Sequence, residues 1–182
     1  SFDWMSGSDG FVFSSNYTED WEYDFRNSEI YSISVNGSNL QQLTDRNGPD
    51  MGAAVSPDGK SIAYLGYEDK VQTYQINNLT IMHIDGSNKR TINIDLDRNI
   101  ESLKWSADGK NLYFMYDNYG NTKIATTNLT GRVRKLIDDV GGTSIGRPYG
   151  GGSFSVSSEG EISYTLTSPY HPADIGYYEG NS

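Results

Sequence analysis

The residues in this chain whose types and spacing could do chemistry are carboxylates. Glu19 and Asp20 sit in a segment from Asn16 to Ser28 that also holds Glu22 and Asp24, and Glu68 and Asp69 sit in a second, from Tyr67 to Asn78. The first opens Tyr-x-Glu-Asp and the second Tyr-Glu-Asp, each in a stretch rich in aromatic residues. Carboxylates beside rings can hold a peptide's α-amino group, or an arginine of a docked domain, through charge-assisted hydrogen bonds. The plainer reading is a pair of solvated acidic loops whose rings cover sheet edges. Glu19, Asp20, Glu68 and Asp69 are therefore the candidate substrate-binding residues.

Other motifs fail on their surroundings. Gly142-Thr143-Ser144-Ile145-Gly146 fits the pattern of a nucleophile elbow, which needs a core strand before the serine and a helix after it. The run that follows, Arg147-Pro148-Tyr149-Gly150-Gly151-Gly152, cannot be helical, and His171 precedes Asp174, the reverse of the hydrolase order. Ser144 thus reads as a loop residue, and no catalytic residue is expected. Asp95-Leu96-Asp97-Arg98-Asn99 begins like a calcium loop but has Ile100 at the sixth position and Ser106 at the twelfth, where glycine and glutamate are needed. The two histidines, His83 and His171, have no partners at ligand spacing, and there is no cysteine. No metal and no cofactor are expected, and His83 should face solvent.

Composition narrows the function classes further. Fourteen Lys and Arg against 24 Asp and Glu give a net charge of −10, which repels phosphate backbones, so nucleic acid is not an expected partner. Hydrophobic content is 35% and mean hydropathy −0.62, and no stretch approaches the ~18 apolar residues of a membrane-spanning helix. A membrane is not expected either. A chain of 182 residues has room for one ordinary domain.

What must position the acidic segments is a repeat of about fifty residues. Pro57-Asp58-Gly59-Lys60, Ala107-Asp108-Gly109-Lys110 and Ser158-Glu159-Gly160-Glu161 recur in step, with a drifted copy at Gly7-Ser8-Asp9-Gly10. Phe13, Tyr64, Phe114 and Tyr164 form an aromatic column in the same register. Between the turns run short alternating segments rich in β-formers, such as Ile62-Ala63-Tyr64-Leu65 and Leu112-Tyr113-Phe114-Met115-Tyr116, and no segment carries a helical apolar stripe. Four antiparallel strands per unit define an all-β fold, a β-propeller of four-stranded blades. The blades are expected at roughly 1–49, 50–98 and 99–150, with an incomplete blade over 151–182. Closed rings need about four to eight blades, so three and a half read as part of a ring. Topology places both acidic loops on the ring face of the blade-to-blade connections, opposite the Asp-Gly-Lys turns.

The strings Val55-Ser56-Pro57-Asp58-Gly59-Lys60 and Trp105-Ser106-Ala107-Asp108-Gly109-Lys110 resemble the repeat of TolB-like propellers, which have six to eight blades. Ser14-Ser15-Asn16-Tyr17-Thr18-Glu19-Asp20, Gln42-Leu43-Thr44, Ala63 to Asp69, Asp95 to Asn99 and Ser168-Pro169-Tyr170-His171-Pro172-Ala173 resemble, in that order, the later blades of the propeller in bacterial acylaminoacyl-peptidases and dipeptidyl-peptidases of the prolyl oligopeptidase family. The resemblance implies a non-catalytic propeller that gates and orients oligopeptide substrates for an α/β-hydrolase domain of the same polypeptide, which would carry the Ser, Asp and His. A TolB-like propeller that binds a protein partner and belongs to no enzyme is the alternative. The sequence does not fix the compartment, with a periplasmic or secreted location slightly favoured over a cytoplasmic one. Exposed flanks of the end blades are expected to drive self-association of this chain.

Overall fold

In a computed structural model of the chain, the described residues are 1–142, 151–168 and 170–180. Among them every regular element is a β-strand. The first sheet holds β1 (Phe2–Trp4), β2 (Gly10–Ser15), β3 (Glu29–Ser34) and β4 (Gln41–Gln42), and the second β5 (Asp50–Val55), β6 (Ser61–Gly66), β7 (Asn78–His83) and β8 (Arg90–Ile92). The third holds β9 (Ile100–Trp105), β10 (Asn111–Asn118), β11 (Asn121–Asn128) and β12 (Val133–Val140). The fourth has three strands, β13 (Phe154–Val156), β14 (Ile162–Ser168) and β15 (His171–Tyr178). Each strand pairs with its chain neighbour, always antiparallel. This is the expected fold, the antiparallel blades of a β-propeller.

The repeated Asp-Gly-Lys motif is explained by its turn. Ser56 Oγ donates to Asp58 Oδ1 at 2.6 Å and the Lys60 N–H to the same oxygen at 3.1 Å, while Gly59 takes φ +70°, a region L side chains avoid. Ser106, Asp108, Gly109 and Lys110 repeat this at 2.6 Å and 3.0 Å, with Gly109 at φ +68°. These bonds hold the Asp58 and Asp108 carboxyls below the usual carboxylate range, the serine hydroxyl contributing most. The recurring acid is thus consumed in holding a hairpin. His83 is exposed on the last residue of β7, its Nδ1 3.0 Å from Asn88 Nδ2.

The chain forms two compact units, 1–94 and 95–182. In the first, Val12, Ile30 and Leu43 of the first blade meet Ala53, Ile62, Tyr64 and Met82 of the second in one buried cluster. The Val55 N–H also donates to Asp3 Oδ2 at 2.8 Å. In the second unit, Met115, Ile124, Ile137 and Val140 pack with Phe154 and Ile162. Alternation along each strand sends every second side chain into these layers, which is why the sequence columns at intervals of about fifty residues become cores.

Candidate functional site

In the first unit the β2–β3 and β6–β7 loops lie at the same end as the linker from Leu43 to Pro49, and the Asp-Gly turns lie at the other, as a meander requires. Each loop is folded onto itself. Asn16 Oδ1 accepts the Thr18 N–H at 3.1 Å and its hydroxyl at 2.8 Å, and Asn16 Nδ2 donates to the Asp24 carbonyl at 2.7 Å. Trp21, Tyr23 and Phe25 are left exposed along this loop.

The four candidate carboxylates part company here. Glu19, Asp20 and Glu68 are exposed. Asp69 is half-buried: its Oδ1 accepts the Val71 N–H at 2.8 Å and Gln75 Nε2 at 3.0 Å, and Arg26 Nη1 lies 3.9 Å from its Oδ2. Arg26 in turn stacks over the Phe25 ring at 5.4 Å. The Asp69 N–H donates to the Asn47 carbonyl at 2.7 Å and the Gly48 N–H to Asn27 Oδ1 at 3.2 Å, so both loops are tied to the same linker. Asp69 joins the loops together, and the other three present charge to solvent. The elbow match falls almost wholly on residues 143–150, outside the described residues.

Beneath the loops lies a polar cluster that the sequence did not announce as a site. Glu29 opens β3, Asp50 opens β5, and Thr44 and Arg46 lie in the linker between them. The Thr44 hydroxyl accepts the Ile30 N–H at 2.8 Å and donates to Glu29 Oε2. Arg46 Nη2 lies 2.8 Å from Asp50 Oδ1, and its guanidinium sits 6.0 Å over the Tyr64 ring. Asp50 is 1% exposed and Glu29 5%. Burial pushes the Glu29 carboxyl up to about 7, opposed by the Thr44 hydroxyl and assisted by Asp50. Burial likewise raises Asp50 to about 6, with Arg46 pulling the other way. Gly66, opposite Asp50 in the β5–β6 pair, is required by close approach: a Cβ there would stand 2.1 Å from Asp50 Oδ1 and 2.4 Å from the Pro49 carbonyl. A cavity of about 470 Å³ opens beside this cluster, with Tyr17, Tyr31, Glu29 and Arg46 in its wall.

Comparison with known proteins places this arrangement in a class. Over 94% of its length the chain superposes on TolB from Acinetobacter baumannii, with a TM-score of 0.72, 18% identity and 39% of that chain covered. The fold is that of a TolB-like β-propeller. In sequence it is similar to dipeptidyl-peptidase 5 of Porphyromonas gingivalis, 24% identical over 138 residues that make up 74% of this chain and 20% of that protein. It is also similar to dipeptidyl-peptidase 5 of Trichophyton schoenleinii, 32% identical over 142 residues, 69% of this chain and 19% of that protein. The chain therefore spans about a fifth of the length of these relatives. No family model matches it. Both resemblances read from the sequence, to TolB-like repeats and to the propeller of dipeptidyl-peptidases, hold.

Proposed function

We propose that this chain is a propeller portion of a dipeptidyl-peptidase-like serine peptidase of the prolyl oligopeptidase family, in which it gates and orients oligopeptides for an α/β-hydrolase domain of the same polypeptide. The observation that carries this is the sequence similarity to dipeptidyl-peptidase 5 from a bacterium and a fungus over about 70% of the chain. The geometry supports a binding role for the acidic end: Glu19, Asp20 and Glu68 offer unneutralised carboxylates on loops braced by Asp69, Asn27 and Arg26. Long loops on a rigid sheet scaffold are where binding residues concentrate. In this reading Glu19, Asp20 and Glu68 contact substrate, and Asp69 shapes the loop that carries Glu68.

Trp21, 56% exposed between Asp20 and Glu22, is a built-in reporter. Tetrapeptides with a free amino terminus should change its fluorescence saturably, and their acetylated counterparts should not. Glu19→Gln combined with Asp20→Asn and Glu68→Gln should abolish the response, while Trp21→Phe removes the signal without removing binding. A response indifferent to these charges would take the loops out of substrate recognition and leave the TolB-like protein-binding reading in its place.

The open faces support self-association of this chain. On the first sheet Trp4, Phe11, Phe13, Tyr31 and Tyr17 form a continuous run of ring contacts between 5.0 and 6.1 Å. Phe2 and Trp4 of that sheet are 77% and 55% exposed. In the fourth sheet β15 is paired on one side only, an edge that invites a further strand. A second copy of the chain is the occupant we expect on these surfaces. Sedimentation at micromolar concentration should show a species heavier than 20.2 kDa. A clean monomer would rule this out.

A further inference from the structure

One row of the third sheet departs from its counterparts. In cross-strand register the row reads Val12, Ser32, Gln41 in the first sheet and Ala63, Ile81, Arg90 in the second, but Tyr113, Thr126, Arg134 in the third. The repeat alone does not call for a phenol, a hydroxyl and a guanidinium side by side. The row lines a cavity of about 310 Å³ together with Asn111, Asn128 and Arg132.

Four side chains of this cavity, those of Tyr113, Asn128, Arg132 and Arg134, can donate into it. Asn128 Oδ1 is occupied by the Thr130 N–H at 3.1 Å, the Thr130 hydroxyl at 2.8 Å and the Arg132 N–H at 3.0 Å, which leaves its amide NH₂ as the free end. The Thr126 hydroxyl donates to the Leu112 carbonyl at 3.1 Å. Burial raises the Tyr113 hydroxyl above its ordinary range, opposed by Arg134 and assisted by Asp108 and Tyr178, which lie near it outside the cavity wall. The cavity wall contains no carboxylate, in a chain with net charge −10. Among the described residues the ion pairs engage Arg26, Arg46, Lys89, Arg98, Lys110, Lys123 and Lys135, and neither Arg132 nor Arg134. Two guanidinium forks without an internal acid, beside a phenol and an oriented amide, match the two oxygens of an oxyanion.

We propose that this cavity is an oxyanion-binding site for a carboxylate of a peptide or protein ligand, with Arg132 and Arg134 supplying charge and Asn128 and Tyr113 neutral donors. At about 310 Å³ it has room for one acidic group and its stem, at the lower end of ligand-site sizes. The site lies wholly within the second unit and does not depend on the peptidase reading.

Titrating the whole chain with acetyl-Glu-Glu-amide while following backbone amide resonances tests this. Saturable shifts confined to residues 111–113 and 126–134 are expected, absent with acetyl-Gln-Gln-amide and weakened by added salt. Arg134→Ala and Arg132→Ala should each raise Kd by about tenfold, the loss of one charge-assisted pair, and Arg134→Lys should recover part of it. Both arginines are exposed, and an unchanged spectrum elsewhere verifies that each variant is folded. Inorganic phosphate is the second arm: tighter saturation of the same amides by phosphate than by the peptide would overturn the carboxylate assignment. Shifts that fail to saturate, or that persist unchanged in both alanine variants, would overturn the site itself.

Discussion

Replacing Arg46 with alanine is expected to destabilise the first two-blade unit by about 3–5 kcal/mol, the scale for removing one partner of a buried ion pair. Asp50 would remain 1% exposed with its countercharge gone, and Gly66 packed against it leaves no room to turn away. The variant should also lose its cation–π contact with Tyr64. Urea unfolding followed through the β5 and β6 amides reads the effect. Combining Arg46→Ala with Asp50→Asn should recover much of the loss, because the orphaned charge is removed. A single variant as stable as the parent would mean that Asp50 takes up a proton once Arg46 is gone rather than remaining a buried charge.

The same cluster sets a pH dependence. The Glu29 carboxyl is raised from 4.5 to about 7 and that of Asp50 from 3.8 to about 6, so the folded state binds protons that the unfolded state has released. Stability from these groups is complete below about pH 4 and declines as pH rises through 6 and 7, the reverse of an ordinary salt-bridged acid. Arg46, Lys89, Asp45, Tyr31 and Tyr64 are the charged or titratable neighbours that modulate it. Glu29→Gln should flatten the decline between pH 5 and pH 8. A profile equally steep in that variant would assign the effect to other groups.

The second large effect belongs to the aromatic column. Tyr64 is 1% exposed and Phe114 0%, and truncating either to alanine should cost about 3–5 kcal/mol through lost burial and the cavity left behind. Phe13 and Tyr164, the flanking members, are only half-buried, and the same change there should cost visibly less. Thermal midpoints of the four alanine variants compare them directly. Equal losses at all four positions would mean that the half-buried rings carry as much packing as the buried pair.

The column was legible in the sequence because a period-2 strand repeated every fifty residues leaves a spacing that only burial explains. The Ser-x-Asp-Gly-Lys turns were legible for the same reason, since Gly59 and Gly109 answer a backbone need. Glu19, Asp20 and Glu68 could be placed on exposed loops from topology alone, whereas the bracing role of Asp69 depends on Gln75, Arg26 and Asn47 meeting it in space. The Glu29, Thr44, Arg46 and Asp50 cluster was missed. One clue was available: by register Asp50 takes the place that Ile100 fills in the next blade, a carboxylate where the repeat sets an apolar residue. Residue type alone does not say that a charge is buried, which follows only when β3, the linker and β5 close around it.

The plain up-and-down order of every sheet bears on how the chain is made. Each strand bonds only to the strand synthesised just before or just after it, so every ladder closes within about fifty residues and over short loops. A nascent chain can therefore complete one of these sheets while the next is still inside the ribosome, and among the described strands none waits for a distant late partner. The layers between sheets must wait for the second member of each pair. Val12 and Ile30 stay uncovered until Ile62, Tyr64 and Met82 have emerged, and Met115 and Ile124 until Phe154 and Ile162 have, so apolar surface is exposed during synthesis in the interval between the two sheets of each unit.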